Sequence, residues 1–315
     1  MPELSTREAG PDDVGPILGV LKAALGETPL LRRTRELWAW KHESNPFGTS
    51  IVLVATSGDR IAGVRALMRW RMDTPAGMAV ECVRPVDTAT HPEFERRGIF
   101  RRLTMESLDV ARDQGVDLVF NTPNPKSGAG YISMGWKEVA PIGVMVRPRL
   151  GRSVSIPGSE APSLAEVAPA SRPFRPIEAQ DRPPRGLRTV RTPQYQSWRF
   201  GGHPTVRYGV IGRNKGAAVV RAGARGSHTE LVLSDLIGGA GSTEVRHAAR
   251  ANRARYMAGF FSKGSPERIS AVTGGMIPVP GKHALHLVAL PLTDIDIDVF
   301  DLGCWDIATS DLELL

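Results

Sequence analysis

The first half of the chain consists of short apolar segments separated by turns that contain glycine or proline. Residues 4–9 are predicted as a strand, and residues 14–25 as a helix with one apolar face. Residues 51–55 and 61–68 flank the polar turn Ser57-Gly58-Asp59, which is typical of a β-hairpin. The pattern therefore predicts a sheet with helices packed on it.

The most informative stretch is residues 81–136, where an apolar segment runs into a basic loop and then into a helix. The loop reads Glu95-Arg96-Arg97-Gly98-Ile99-Phe100-Arg101-Arg102. Apolar residues recur at helical spacing from Phe100 to Ala111, and Gly115 marks the helix end. This arrangement suits a pyrophosphate group. The helix start offers free N–H groups, four arginines add positive charge, and the glycine admits close approach of the ligand. The alternative is an ordinary helix start with a solvated basic face.

The next apolar segment is residues 117–120, and a second motif follows it. Its residues are Asn124, Ser127, Tyr131, Gly135 and Trp136. Loop and motif together resemble the GNAT superfamily of acyl-CoA-dependent N-acyltransferases, whose motifs read Gln/Arg-x-x-Gly-x-Gly/Ala and Asn-x-x-Ala-x-x-x-Tyr-x-x-x-Gly-Phe. Glu95 and Phe100 depart from the first motif, and a large residue at position 100 is associated with a branch that often modifies amino sugars. The resemblance covers residues 3–147 and implies an acyl-CoA site there.

The resemblance also implies which residues hold the cofactor. The backbone of residues 88–90 is expected to pair with the pantetheine amides as an added strand would. Asn124 is expected to fix its loop or to bond the pantetheine arm, and Lys126 is either near a phosphate or simply solvated. The predicted cofactor-binding set is Thr88, Ala89, Thr90, Glu95, Arg96, Arg97, Gly98, Ile99, Phe100, Arg101 and Asn124. The donor is expected to be acetyl-CoA or a longer acyl-CoA.

Catalysis by this family needs a proton donor for the leaving thiolate and a proton acceptor for the amine. Tyr131 stands where the family often keeps the acid, although a packing tyrosine is the alternative. Glu81 and Asp87 are candidate bases, because residues six apart on a strand share a face unless a bulge at Pro85 breaks the register. His91 is a third candidate that we expect to be structural, and a water chain could replace a base altogether.

The second half repeats features of the first. Residues 151–188 are rich in proline, serine and arginine and are predicted as a linker. Trp40-Lys41-His42-Glu43-Ser44-Asn45-Pro46 is then echoed by Trp198-Arg199-Phe200-Gly201-Gly202-His203-Pro204, each followed by a predicted hairpin. The predicted fold class is α/β (α+β): two tandem GNAT-like lobes, residues 1–150 and 189–315, each a mixed, mostly antiparallel sheet flanked by helices. A helix is predicted at residues 244–260, and strands at residues 283–290 and 298–302.

The glycine-rich residues 237–242 of the second lobe lack basic residues and do not match the family loop. We therefore expect one acyl-CoA site, in the first lobe. The second lobe is expected to help shape the acceptor cleft.

Composition narrows the function. The net charge is +7 and the pI about 9.8, but the charge is spread along the chain, which does not favour nucleic-acid binding. No apolar run is long enough for a membrane span, and the N-terminus lacks a signal core, so a cytoplasmic protein is expected. Only Cys82 and Cys304 are present, and His283 and His286 lack an obvious third ligand, so no metal site is expected.

Three functional hypotheses remain. The first is an N-acyltransferase, most simply an acetyltransferase, that moves an acyl group from acyl-CoA to a primary amine of a small molecule such as an amino sugar or a sugar-bearing natural product. The second is an aminoacyl-tRNA-dependent transferase, which also resembles two fused GNAT lobes but usually lacks the pyrophosphate loop. The third is a non-catalytic acyl-CoA-binding protein, which the departures at Glu95 and Phe100 leave open.

Overall fold

A computed structural model describes residues 3–28, 31–154, 162–177, 182–212, 216–279 and 285–312. The chain divides into two units. The first comprises Met1–Met72, Ala79–Val139 and Leu287–Phe300, and the second comprises Asp73–Met78, Ala140–His286 and Asp301–Leu315. Each unit therefore contains a segment that is distant in sequence from the rest of it.

The elements up to residue 142 include, in order, the strands and helices that the sequence predicts. They are β1 (Leu4–Glu8), α1 (Val14–Leu25), α2 (Arg35–Trp38), β2 (Ile51–Ser57), β3 (Arg60–Asp73), β4 (Ala79–Thr90), α3 (Ile99–Asp113), β5 (Leu118–Asn121), α4 (Pro125–Ser133) and β6 (Lys137–Ile142). A π-helical turn, Ala39–Glu43, extends α2, and 3-10 turns at Pro11–Asp13 and Pro92–Phe94 precede α1 and α3.

The later elements are shorter. They are β7 (Met145–Pro148), α5 (Leu164–Val167), β8 (Arg172–Pro173), β9 (Arg188–Thr189), α6 (Pro193–Gln196), β10 (Tyr208–Ile211), β11 (Ala217–Arg225), β12 (His228–Ile237), α7 (Ser242–Ala251), β13 (Tyr256–Gly259), α8 (Pro266–Thr273), β14 (Ile277–Pro278), β15 (Leu285–Pro291) and α9 (Thr309–Leu312). A π-helical turn, Ser197–Gly201, extends α6, and Leu302–Cys304 forms a 3-10 turn. None of the described helices is long and apolar enough to cross a membrane.

The sheet of the first unit runs β1-β2-β3-β4-β5-β15-β6, so a strand from the end of the chain lies between β5 and β6. β4 and β5 are parallel and pair only at Cys82↔Leu118 and Val83↔Val119. Beyond these pairs β4 continues for seven residues to Thr90, while β5 pairs with β15 on its other side. The two strands therefore diverge, and Pro85, which has no N–H group, lies at the start of the divergence.

β4 changes face at Asp87, which has a left-handed backbone with φ 42°. Val83 packs in the cluster formed with α3 and α4, whereas Ala89 packs in the cluster formed with α1, although an even number of residues separates them. A left-handed residue in a strand reverses the alternation of its side chains. The expectation that Glu81 and Asp87 share a face is therefore wrong, and the irregular residue is Asp87 rather than Pro85.

The sheet of the second unit runs β14-β7-β13-β12-β11-β10-β8. The predicted fold class, two mixed and mostly antiparallel sheets flanked by helices, is confirmed. Two local predictions are wrong. The helix predicted at residues 244–260 ends at Ala251 and is followed by β13, and residues 298–302 form a turn that leads into the 3-10 turn. Of the strand predicted at residues 283–290, the first two residues lie outside the described ranges.

Part of the predicted linker packs into the second unit. Val167 and Ala168 are fully buried in its core, and β8 pairs with β10. The sequence did not predict α5 and β8, because both are too short to show periodicity and both lie among proline and serine residues.

Candidate functional site

The basic loop forms the start of α3 as predicted. Arg96 and Gly98 both have left-handed backbones, with φ 62° and 73°. The first hydrogen bond of the helix joins the Arg102 N–H to the Gly98 carbonyl at 3.0 Å. The N–H groups of Ile99, Phe100 and Arg101 precede that bond, so they have no partner within the helix. Such a helix start, with positive dipole charge, is suited to an anion.

The arginines of the loop have different surroundings. Arg96 and Arg101 are exposed, whereas the Arg97 guanidinium lies 5.2 Å from the centre of the Phe94 ring. Arg102 bonds Glu106 at 2.9 Å and the Leu4 carbonyl at 2.8 Å. Arg96 and Arg101 are therefore better placed than Arg102 to meet a phosphate. Glu95, at the first motif position, is exposed.

The predicted pantetheine edge is the diverging end of β4. Thr88 and Thr90 are half-buried and Ala89 is buried. The Thr88 hydroxyl donates to the Val86 carbonyl at 3.2 Å. The sheet pairs β4 with β5 only before this segment, so a ligand strand could add here. Pairing of residues 88–90 with pantetheine stays a prediction.

Asn124 caps α4. Its Oδ1 accepts the Ser127 N–H at 3.0 Å, and Pro125 occupies the first helical position. Of the two roles expected for Asn124, the structure shows the one that fixes the loop.

Phe100, which departs from the family motif, fits against α4. Its ring lies edge-on to Tyr131, with the ring centres 5.6 Å apart. A Cβ atom at Gly130 would lie 3.0 Å from the Phe100 ring. A glycine on α4 therefore accommodates the large residue on α3.

Tyr131 is almost fully buried, with 3% of its surface exposed, and its ring also packs edge-on against Trp136. Its hydroxyl accepts a hydrogen bond from Arg65 Nη1 at 2.9 Å. Arg65 lies on β3 and is completely buried. Sequence analysis missed Arg65, although an arginine inside the apolar segment 61–68 was a visible signal.

Asp87 lies in a buried charge cluster. Its carboxylate accepts bonds from Arg33 Nη1 and Lys41 Nζ, both at 3.0 Å, and from His42 Nε2 at 3.1 Å. Burial would raise the pKa of Asp87, but Lys41 and His42 outweigh burial and hold it far below its usual value. A carboxylate that is so hard to protonate would be a weak base. The structure thus argues against Asp87 as the proton acceptor.

The cluster extends to Ser50 through the other ring nitrogen of His42. His42 Nδ1 lies 2.9 Å from Ser50 Oγ, and burial lowers the pKa of His42. A neutral His42 beside an ionised Asp87 must carry its proton on Nε2, so the Ser50 hydroxyl donates to Nδ1. A cavity of about 700 Å³ is lined by Ser50, His42 and Trp38, and none of its lining residues belongs to the basic loop or is Tyr131.

Glu81 and His91 also have structural contacts. The Glu81 carboxylate forms an ion pair with Arg71 and is about one third exposed, and its backbone N–H donates to Asp117. His91 Nδ1 accepts the Glu93 N–H at the 3-10 turn before the loop. The structure therefore brings Tyr131 close to Phe100, but it places Glu81 and Asp87 in separate ion-pair clusters.

The second unit repeats part of this architecture. Arg191 Nη1 bonds Asp235 at 2.9 Å, as Arg33 bonds Asp87, and Thr192 caps α6 as Thr34 caps α2. Burial raises the pKa of Asp235 to about 6. The nearby Asp311 carboxylate adds to this rise, and Arg191 only partly offsets it. A buried Arg–Asp pair thus recurs in a unit whose glycine-rich loop lacks arginine, which favours a structural role for Asp87.

The position of Tyr131 is not repeated. The Trp136 N–H bonds the Tyr131 carbonyl after α4, and the Met276 N–H bonds the Ala271 carbonyl after α8. Gly135 and Gly275, with φ 105° and 95°, occupy matching positions. Ala271 therefore stands in the second unit where Tyr131 stands in the first. Among the residues that the structure covers, no His, Cys, Asp and Glu side chains cluster as metal ligands would.

Residues 5–139 match the family model described as acetyltransferase (GNAT) domain. No curated protein matches. Among solved structures, the chain is similar to a GCN5-related N-acetyltransferase from Kribbella flavida (TM-score 0.58, 14% identity, covering 91% of this chain and 70% of that one). It is also similar to Eis1 from Mycobacterium abscessus (TM-score 0.57, 14% identity, 90% and 73% covered).

These structural likenesses show a shared fold over nine tenths of the chain. The matched family model covers the loop and Tyr131. Residues 5–139 therefore form a GNAT acetyltransferase domain.

Proposed function

We propose that this protein transfers an acyl group, most simply acetyl, from acyl-CoA to a primary amine of a small molecule by direct attack of the amine on the thioester. The observation that carries the proposal is the loop from Glu95 to Arg101. The N–H groups of residues 99–101 have no partner within the helix. Together with left-handed Arg96 and Gly98 and the exposed side chains of Arg96 and Arg101, they would bind an anion next to the diverging end of β4. The pyrophosphate would bind at the loop, and the pantetheine arm would follow residues 88–90.

Tyr131 is the proposed acid that protonates the leaving sulfur, since it is the tyrosine of the second family motif. The proposal leaves the amine proton to water, because Asp87 is held ionised by Lys41 and His42 and Glu81 is paired with Arg71. The acyl-CoA site is assigned to the first unit alone. The second unit has Ala271 in place of the tyrosine and no arginine between Gly238 and Gly241.

The first test is thermal stability with acetyl-CoA, longer acyl-CoAs, free CoA and no ligand. A ligand at about 100 times its Kd stabilises by about 2.7 kcal/mol, so binding is readily detected. We expect protection by CoA species and its loss in Gly98→Glu, where the new carboxylate repels phosphate. Gly115→Glu is the matched control, since Gly115 ends the same helix with φ 71° and has equally open space around it. Absence of protection by any CoA species would contradict the proposal.

The second test is CoA release in the presence of a panel of amines that includes amino sugars. We expect acceptor-dependent release, and a fall in kcat of about 100-fold or more in Tyr131→Phe with acyl-CoA protection retained. Protection without turnover on any amine would instead support a non-catalytic acyl-CoA-binding protein.

A further inference from the structure

Arg65 is a buried cation, and among the residues that the structure describes no carboxylate pairs with it. It is 0% exposed in the middle of β3, and its Nη1 donates to the Tyr131 hydroxyl at 2.9 Å. Its Nε and Nη2 have no hydrogen-bond partner within the described ranges. Its guanidinium carbon lies 5.1 Å from the centre of the Tyr131 ring and 5.7 Å from that of Phe100. The surroundings of Arg65 are therefore aromatic rather than acidic.

A charge in such surroundings is costly unless an anion neutralises it. Burial lowers the pKa of Arg65, and the contact with Tyr131 only partly offsets this effect. Negative charge that develops on or next to the Tyr131 oxygen would therefore be stabilised, and the cation is already in place. Preorganised charge of this kind favours a transition state over the ground state.

The hydrogen bond also fixes the direction of the tyrosine proton. A guanidinium N–H can only donate, so the Tyr131 oxygen is the acceptor and its own hydrogen must point elsewhere. In the part of the chain that the structure covers, no group accepts that hydrogen. The hydroxyl proton is thus available to a ligand.

The second unit contains a contrasting pair. Arg199 Nη1 donates to the Tyr208 hydroxyl at 2.8 Å, in a similarly buried position. The Nε and Nη2 groups of Arg199 both donate to the Ser310 carbonyl, at 3.2 and 3.0 Å. Each guanidinium nitrogen of Arg199 therefore has a partner, whereas Nε and Nη2 of Arg65, beside the motif tyrosine, have none among the described residues.

We propose that Arg65 is a positioning residue that directs the Tyr131 proton to the leaving thiolate and stabilises the tyrosinate that results. This inference rests on the proposed function. The amine nitrogen bonds the thioester carbonyl carbon, and the carbon–sulfur bond breaks with its electron pair on sulfur. Sulfur takes the Tyr131 proton, and the amine releases a proton that restores the tyrosine through solvent. The products are an amide and free CoA thiol.

The test compares Arg65→Met, which removes the charge, with Arg65→Lys, which retains it. We expect kcat to fall about 100-fold in R65M, with the KM for acyl-CoA changed less than about twofold. R65K is expected to recover most of kcat. Arg199→Met is the matched control for loss of a buried Arg–Tyr bond and should leave kcat close to that of the parent. An R65M kcat within about threefold of the parent, while Y131F is strongly impaired, would overturn the proposal.

Rescue by the conservative variant separates positioning from mere support of the fold. If R65M does not fold, R65K gives the decision, because a folded R65K that binds acyl-CoA without activity would contradict the role of charge.

Two readouts on the parent protein keep this inference separate from the proposed function. Absence of CoA protection and of turnover on any amine would contradict the proposed function. Turnover in the parent with an unchanged kcat in R65M would contradict the role of Arg65 only.

Discussion

At the scale of single residues, the buried Asp87 cluster shows how neighbours decide what a side chain can do. Asp87 is 9% exposed and touches three donors, Arg33, Lys41 and His42. An isolated carboxylate at this depth would take up a proton, and here the donors keep it ionised. The same interactions that lower the pKa of Asp87 make it important for stability.

We predict that Asp87→Asn destabilises the protein by about 3–5 kcal/mol, because Arg33 and Lys41 would remain buried without their counter-charge. Urea unfolding measures the change. Asp109→Asn is the control, since Asp109 is 71% exposed in its ion pair with Arg112 and surface pairs contribute about 0–1 kcal/mol. A D87N variant as stable as D109N would contradict this interpretation of the cluster.

His42 predicts a loss of stability on the acid side. Its folded pKa is lowered by burial, so below the unfolded value of about 6.5 the unfolded chain binds a proton that the folded chain refuses. The free energy of unfolding should therefore fall as pH falls below about 6.5, by up to about 1.4 kcal/mol per pH unit. Asp87 adds a further loss of stability that begins below its pKa of 3.8 in the unfolded chain, because its folded pKa is also lowered.

The measurement is the urea midpoint of the parent and of His42→Gln as pH is lowered from neutral. The difference between the two isolates His42 from the other titrating groups. We expect the parent to lose more stability than H42Q below about pH 6.5. Parallel curves would show that His42 can be protonated in the folded state.

At the scale of elements, the contact between α3 and α4 depends on one glycine. Gly130→Ala would place a methyl group 3.0 Å from the Phe100 ring, so the ring or the helix must shift. Gly128→Ala, on the same helix with open space around it, should gain up to about 1 kcal/mol from helix propensity. We therefore predict that G130A is less stable than G128A by thermal unfolding. In the G130A background, Phe100→Ala should remove most of the stability loss that the clash causes. If the two substitutions instead changed the stability additively, the clash would be contradicted.

Local signals in the sequence were sufficient to predict the loop and α3, and a local signal for the start of α4 is also present. Gly98 with arginines on both sides, and Asn124-Pro125 at a helix start, act within a few residues. The Asp87 and Tyr131 clusters could not be predicted, because their partners Arg33, Lys41 and Arg65 are 54, 46 and 66 residues away. The face of Asp87 was missed for a different reason, since a left-handed residue reverses the alternation on which the prediction rested.

At the scale of the whole molecule, each sheet contains a strand that lies on the other side of residue 150 from its neighbours in the sheet. β15 pairs with β5 from Val288↔Asn121 to Pro291↔Leu118 in the first sheet, and β7 pairs with β13 and β14 in the second. Residues 287–289 are at most 3% exposed. A break at residue 150, where the sequence predicts the end of the first domain, would therefore separate each sheet from one of its strands. That the two lobes divide the function between them stays a prediction.

We predict that residues 1–150 do not fold alone, because β5 and β6 would lose β15 and the core around Val119 and Tyr131 would lose Val288. Residues 151–315 should fail in the same way, because β13 and β14 would lose β7. Expressed together, the two pieces should form one complex with the thermal transition of a folded protein. Cleavage of the folded chain next to Leu150, which is 94% exposed, should leave that complex intact. A cooperative thermal transition in residues 1–150 alone would show that the first sheet is stable without β15.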